Sequence, residues 1–138
     1  MDARAAAAVG GANVAEETKR ILLVVHHNVF REALATRLEQ EDNLEVAWQA
    51  GLITDTRDVH LDGIDVALVD PLLPDGDGLE LIREVSMANP NALALVLSHN
   101  LDPALYHQAS GAGAVEVLAT NAALGEVIDA VRRSAATE

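Results

Sequence analysis

Five apolar runs of strand length recur along this chain, and segments of helical or polar character separate them. The runs are built mainly from Leu, Val, Ile and Ala, which is typical of parallel strands covered on both faces. They lie at 21–25, 44–48, 64–69, 93–97 and 115–118. Parallel strands joined by helices need right-handed crossovers. We therefore predict an α/β fold with a doubly wound parallel sheet of strand order 2-1-3-4-5.

Helices are predicted between these runs from apolar spacing, cap residues and stop signals. Asp77 and Asp102 are the predicted starts of two of them, and Asn89 precedes the proline that ends the first of these two. Polar residues interrupt the apolar rhythm of the segment between the second and third strands, where a helix is still expected. The predicted helices cover 29–38, 55–61, 77–88, 102–109 and 124–131. Together with the strands they predict a three-layer, flavodoxin-like (βα)5 sandwich.

The length of 138 residues suits one domain with one core and is too short for an added helix-turn-helix module. The Ala- and Gly-rich segment 1–18 is expected to be a disordered leader. The folded domain is expected at 19–134, and 135–138 is interpreted as a tail or the start of a linker. No repeat or internal linker divides the folded part.

Charge and composition argue against several classes of function. The formal net charge of −13 repels nucleic-acid phosphates and anionic lipids, so neither direct nucleic-acid binding nor membrane binding is expected. The sequence has no cysteine, which excludes disulfides and thiolate sites and fits a cytoplasmic protein. No apolar run approaches the roughly 18 residues that a membrane helix needs.

The segment 64–78 holds the main functional candidate. Asp70 ends the third apolar run, and Pro71 turns the chain immediately after it. In open α/β sheets, ligands gather at the carboxyl ends of the strands. Other side chains expected at the same edge are those of Val25, His26, His27, Ser98, His99, Val117 and Thr120.

These residues resemble those of a receiver (response regulatory) domain of two-component response regulators, in the NarL/FixJ (LuxR)-like subgroup. The resemblance covers about 20–133 and implies a CheY-like fold. Asp70 matches the phosphoacceptor, Leu73-Pro74 and Gly78 match the loop after it, and Ser98 matches the hydroxyl that ends the fourth strand. The resemblance implies a non-enzymatic role in phosphorelay signal transduction and transcription regulation. It also implies protein partners: a histidine kinase, an output domain or a second copy of the chain.

The sequence departs from this family at four positions of the site. Val25 and His26 stand where an acidic pair normally lies, Val117 replaces an aromatic residue, and Thr120 replaces a lysine. Phosphoryl transfer is catalysed mainly by positioning and by cations that neutralise the phosphoryl oxygens. Imidazole and isopropyl groups are poor ligands for Mg²⁺, which prefers oxygen. We therefore expect weak or absent Mg²⁺ binding, no cofactor, and an atypical receiver in which Asp70 is only equivalent to a phosphoacceptor.

The histidines offer two further interpretations. His26 is expected to hydrogen-bond or ion-pair with Asp70 and so to replace part of the missing positive charge. Alternatively, His26, Asp70 and His99 would hold a transition metal. We disfavour that site because His99 follows Ser98 in a strand and should point the other way. Two alternative functions stay open: a conventional receiver phosphorylated slowly on Asp70, and a small flavodoxin-like metal-binding protein.

Overall fold

The computed structural model describes residues 18–99, 101–120 and 124–136. Within these ranges the long strands are β1 (Lys19–Val24), β2 (Leu44–Ala50), β3 (Val66–Val69), β6 (Leu93–Ser98) and β7 (Ala114–Ala119). A small hairpin lies between β3 and the next helix and consists of β4 (Leu72–Leu73) and β5 (Gly76–Asp77). The helices are α1 (Asn28–Glu39), α2 (Gly78–Ala88), α3 (Pro103–Ala112) and α4 (Leu124–Ala136).

The five long strands form one parallel sheet in the order β2-β1-β3-β6-β7. This is the predicted order 2-1-3-4-5, with the hairpin strands left out of the count, so the fold prediction is confirmed. Alternate residues of β1 enter two different cores because successive side chains of a strand face opposite ways. Ile21 and Leu23 pack with residues of α1 and α4, whereas Leu22 and Val24 pack with residues of α2 and α3. The molecule is therefore a three-layer sandwich.

The prediction of a helix at 55–61 is wrong. The chain forms two short 3-10 turns there, Ile53–Thr56 and Leu61–Gly63. The segment lacks an apolar stripe of helical spacing, and a side chain from outside it fixes its first turn. Asp75 accepts hydrogen bonds from the backbone amides of Ile53 and Thr54, at 2.9 and 3.0 Å.

The predicted starts of two helices are confirmed by their caps. The Asp77 carboxylate accepts from the amide of Leu79 at 2.9 Å and begins α2. The Asp102 carboxylate accepts from the amide of Leu105, also at 2.9 Å, and Pro103 occupies the first turn of α3. Aspartate at this position satisfies an amide that has no partner within the helix. Both helices thus begin on the site's edge of the sheet.

The predicted leader at 1–18 lies outside the described residues apart from Thr18. The predicted tail at 135–138 lies partly outside them as well, and the domain boundaries stay predictions. None of the helices in the described ranges combines the length and apolar character needed to cross a membrane.

Candidate functional site

Asp70 follows β3 directly and lies at the carboxyl edge of the sheet. Its backbone amide donates to the carbonyl of Val24 at 2.9 Å, which fixes the residue between β1 and β3. The residue is only 7% exposed. Its Oδ1 accepts from the amide of Leu72 at 3.0 Å. The carboxylate therefore holds the loop that leads into the hairpin.

Burial dominates the electrostatics of this carboxylate. Loss of hydration raises the pKa of Asp70, and the Leu72 hydrogen bond and the charges of His99 and His26 lower it by less. A raised pKa means that the ionised form is less well accommodated in the fold than in water. Asp70 is thus a buried acid with incomplete compensation for its charge.

Gly78 lets the loop close onto Asp70. A Cβ at this position would overlap the Asp70 carbonyl oxygen, and Pro71 is also in contact range. The Gly78 amide donates to the Pro71 carbonyl at 3.0 Å. Because both obstacles are backbone atoms, a side chain cannot be accommodated by a rotamer change.

Ser98 is the last residue of β6, and Thr120 directly follows the neighbouring strand β7. Ser98 is 4% exposed, and its carbonyl accepts from the Thr120 amide at 2.9 Å. The Thr120 hydroxyl lies 2.8 Å from Nδ1 of His99. These contacts bring three of the predicted site residues together at one corner of the sheet edge.

His99 and its neighbour Ser98 face different sides of the sheet, as strand alternation predicts. Ser98 lines a pocket with Leu79 and Leu105, on the side covered by α2 and α3. His99 lines another pocket with Val25 and Phe30, on the side covered by α1 and α4. The charge of His99 is the larger of the two imidazole effects that lower the pKa of Asp70. Among the described residues no hydrogen bond or ion pair joins His99 to Asp70, so His99 influences this carboxylate through its charge.

The expected contact between His26 and Asp70 is wrong. His26 is exposed, and its Nδ1 lies 3.3 Å from the carbonyl oxygen of Gly51 at the end of β2. Within the part of the chain that the structure describes, no hydrogen bond or ion pair joins His26 to Asp70. The ring is held towards β2, so it influences Asp70 only through its charge.

Val25 is part of the hydrophobic core and not a ligand position. The residue is buried, and its amide donates to the Ala50 carbonyl at 3.0 Å. Its own carbonyl accepts from Nη1 of Arg31 at 2.7 Å. Val117 is half-buried in β7 and packs against the core that contains α2 and α3. Neither residue offers the carboxylate or the ring found at these positions in the resembled family.

The described residues contain no group of three His, Cys, Asp or Glu side chains arranged to hold a metal ion. His26, Asp70 and His99 consequently do not form the three-ligand site of the alternative interpretation. Magnesium does not fit either. Asp70 supplies one carboxylate whose Oδ1 already accepts from Leu72, and the side chains at 25 and 26 carry no oxygen.

Asp75 is a site residue that the sequence reasoning missed. Its carboxylate joins the hairpin loop to the 3-10 turn after β2, and these amide hydrogen bonds lower the pKa of Asp75. The Pro-Asp-Gly sequence at 74–76 does predict a turn. Its partners lie 21 and 22 residues earlier in the chain, and no local pattern identifies them.

Comparison with known proteins agrees with this architecture. Residues 21–132 match the response regulator receiver domain family. The chain belongs to this family. Among curated proteins, this receiver domain is 34% identical over 88 residues to the DNA-binding transcriptional activator DevR/DosR of Mycobacterium tuberculosis, covering 62% of this chain and 41% of that protein. It is 27% identical over 113 residues to the response regulator UvrY of Escherichia coli K12, covering 81% of this chain and 52% of that protein.

The receiver domain of the response regulator NarL from Mycobacterium tuberculosis has the same fold. It superposes with a TM-score of 0.76 at 26% identity, covering 88% of this chain and 99% of that one. These relatives make the present chain a NarL/FixJ-type receiver domain, a signalling domain of two-component systems. The chain spans about half the length of the curated relatives it matches.

Proposed function

We propose that this receiver domain is an atypical signalling module in which Asp70 does not undergo efficient Mg²⁺-dependent phosphorylation. One observation carries the proposal: Asp70 is the single acid among the edge positions that the family resemblance singles out. The others are Val25, His26, Ser98, His99, Val117 and Thr120. A phosphoryl group on Asp70 would add negative charge to a site with no second carboxylate for a metal and no ammonium.

The energetics of Asp70 support the proposal. Its own single negative charge is already disfavoured by burial, which raises its pKa. Each cation contact that is lost from such a site removes up to several kcal/mol of transition-state stabilisation, and about 1.4 kcal/mol corresponds to tenfold in rate. The charges of His99 and His26 offset only part of this effect of burial on the pKa of Asp70. The geometry thus favours a carboxylate that organises its loop through Leu72 over one that accepts phosphate.

Regulation in this proposal comes through binding of a partner or ligand. The domain would act in the cytoplasm as a protein-interaction module in transcription regulation. By family resemblance, the contacts would lie on α1 with α4, or on α3 through α4. Candidate partners are a histidine kinase, an output domain outside this chain, or a second copy of the chain.

A titration with Mg²⁺ and beryllofluoride, a phosphoryl mimic, tests the proposal. The readout is the ¹H–¹⁵N spectrum of the chain, with Asp70→Asn as the matched variant that removes the carboxylate charge. We expect the amides of Leu72, His99 and Thr120 to stay in place. Saturable shifts at these amides that disappear in Asp70→Asn would contradict the proposal.

A conventional receiver that is phosphorylated slowly on Asp70 is the second candidate function. It is favoured by the retained arrangement of Asp70, Gly78 and Ser98, which lie buried at the carboxyl edge. This candidate predicts a phosphorylated Asp70 with a cognate kinase or a small phosphodonor. The two candidate functions therefore differ in whether a phosphoryl adduct forms on Asp70, which can be measured.

A further inference from the structure

A cavity of about 470 Å³ opens beside the Asp70 site, between the loop after β3, the end of β6 and helix α3. We propose that this cavity binds a small organic cation, an amine or amidine carried on an apolar body. The inference deepens the proposed function, because it names the class of ligand that would act in place of phosphate. The regulatory role of such a ligand rests on the proposed function, whereas its binding to the cavity does not.

The size and position of the cavity suit a small molecule. Its volume falls in the range of roughly 300–1,000 Å³ typical of small-molecule sites. Separate segments of the chain form its walls: Leu72 from the hairpin, Leu79 from α2, and Leu105 from α3. A ligand here would bridge elements that are otherwise joined through the sheet.

The chemistry of the lining selects for positive charge. Asp77 and Asp102 both line the cavity, and Ser98 and Gln108 add neutral polar groups. The other described lining residues are apolar or glycine, and no Lys, Arg or His is among the described residues of the wall. An anionic ligand would meet two carboxylates without a counter-charge. A cation with an apolar body would find partners for both of its parts.

Both carboxylates are fixed in place before any ligand arrives. Each uses its Oδ1 to accept from a helix amide at 2.9 Å, Asp77 from Leu79 and Asp102 from Leu105. Within the described ranges neither of them takes part in an ion pair. Each helix start contributes about half a positive charge, so each capped end keeps a net negative charge. The formal net charge of −13 strengthens this field.

The cavity is directly connected to Asp70 through Leu72. The Leu72 side chain lines the cavity and is 80% exposed, while its amide donates to Oδ1 of Asp70. A ligand that covers Leu72 would change the position or mobility of this amide. Ligand occupancy would therefore be transmitted to the carboxylate without any covalent modification.

Three probes of one shape test the inference: phenylbutylamine, phenylbutanol and phenylbutanoate. Each is titrated into the full chain and followed by ¹H–¹⁵N spectra. The amine is expected to shift the amides of Leu72, Leu105 and Gln108 saturably, with an affinity of about millimolar strength. The alcohol should bind more weakly and the carboxylate should leave these amides unmoved.

Two variants and a control sharpen the test. Asp102→Asn keeps a capping oxygen and removes the charge, so the amine affinity should fall about two- to fivefold while the alcohol affinity is unchanged. Ala104→Trp on the exposed side of α3 fills the cavity and should abolish binding of the amine. Asp129→Asn on α4 removes an exposed carboxylate on the other side of the sheet and should have no effect. Thermal unfolding checks that each variant is folded.

The inference is overturned if the amine and the carboxylate bind equally, if Asp102→Asn leaves amine affinity unchanged, or if no amide at the cavity shifts. Failure of the proposed function looks different. In that case Asp70 becomes phosphorylated, while amine binding and its dependence on Asp102 persist.

Discussion

Nδ1 of His99 and the hydroxyl of Thr120 lie 2.8 Å apart across the ends of β6 and β7. Thr120 occupies the position at which the family resemblance places a lysine. A neutral hydroxyl paired with an imidazole thus stands in place of a permanent ammonium. An imidazole carries positive charge only in its protonated form. The site therefore lacks the permanent positive charge that the family resemblance places at this position.

Restoring two of the missing charges should restore phosphorylation. We predict that His26→Asp combined with Thr120→Lys raises the rate of Asp70 phosphorylation by acetyl phosphate and Mg²⁺ at least about tenfold, because it supplies a metal ligand and an ammonium. The adduct is followed by intact mass against time. The same pair of changes in an Asp70→Ala background is the control. An unchanged rate would show that the lost charges do not limit the reaction.

Removing the Asp70 charge should stabilise the fold. Burial raises the pKa of Asp70, so its ionised form is disfavoured in the native state. Stability from this group is present below its unfolded pKa and is lost as pH rises through the folded pKa. We predict that Asp70→Asn increases the free energy of unfolding on the order of 1 kcal/mol at neutral pH. The gain should shrink towards acid pH.

Urea unfolding of the unmodified chain and of Asp70→Asn, from neutral to acid pH, measures this difference in the free energy of unfolding. Asp129→Asn, an exposed change, serves as the control and should alter stability little. A loss of stability in Asp70→Asn at neutral pH would contradict the assignment of Asp70 as an undercompensated buried acid.

The contribution of Asp75 to stability should depend on pH in the opposite direction to that of Asp70. Its hydrogen bonds from Ile53 and Thr54 lower its pKa, so the ionised form is favoured in the fold. The stability it contributes is present above its unfolded pKa and is lost as pH falls through the folded pKa. We predict that Asp75→Ala accelerates hydrogen exchange at the amides of Ile53 and Thr54. Asp75→Asn keeps one acceptor oxygen, so its exchange rates at these amides should lie between those of the unmodified chain and those of Asp75→Ala. Equal exchange rates in all three proteins would rule out the contact.

Two glycine substitutions separate steric contact from conformational freedom. A Cβ at Gly78 would overlap backbone atoms of Asp70, whereas a Cβ at Gly111 in α3 would meet nothing within 4 Å. We predict that Gly78→Ala costs more than about 2 kcal/mol. Gly111→Ala should add about 0.5–1 kcal/mol, because alanine favours the helix. Chemical unfolding of both variants measures the difference, and similar effects would refute the proposed closure of the loop on Asp70.

The sheet and most helices could be predicted from the sequence because their signals are local. Strand composition, the caps at Asp77 and Asp102 and the apolar stripe of α4 each determine a short segment. The helix expected at 55–61 failed because Asp75, far along the chain, stabilises a different turn there. Local patterns contain no information about such a partner.

The site was predictable as a set of positions but not as a set of contacts. Parallel strand ends share one edge, and this brought Asp70, Ser98 and Thr120 together as expected. The hydrogen-bond partner of each histidine depends on backbone geometry beyond the strand end. His26 lies against Gly51 and His99 against Thr120, and neither contact follows from periodicity.

Intact mass after incubation with acetyl phosphate and Mg²⁺ tests the central claim most directly. The account predicts an unmodified chain under conditions in which a conventional receiver is fully phosphorylated in parallel. A stoichiometric increase of one phosphoryl group that is absent in Asp70→Ala would contradict it.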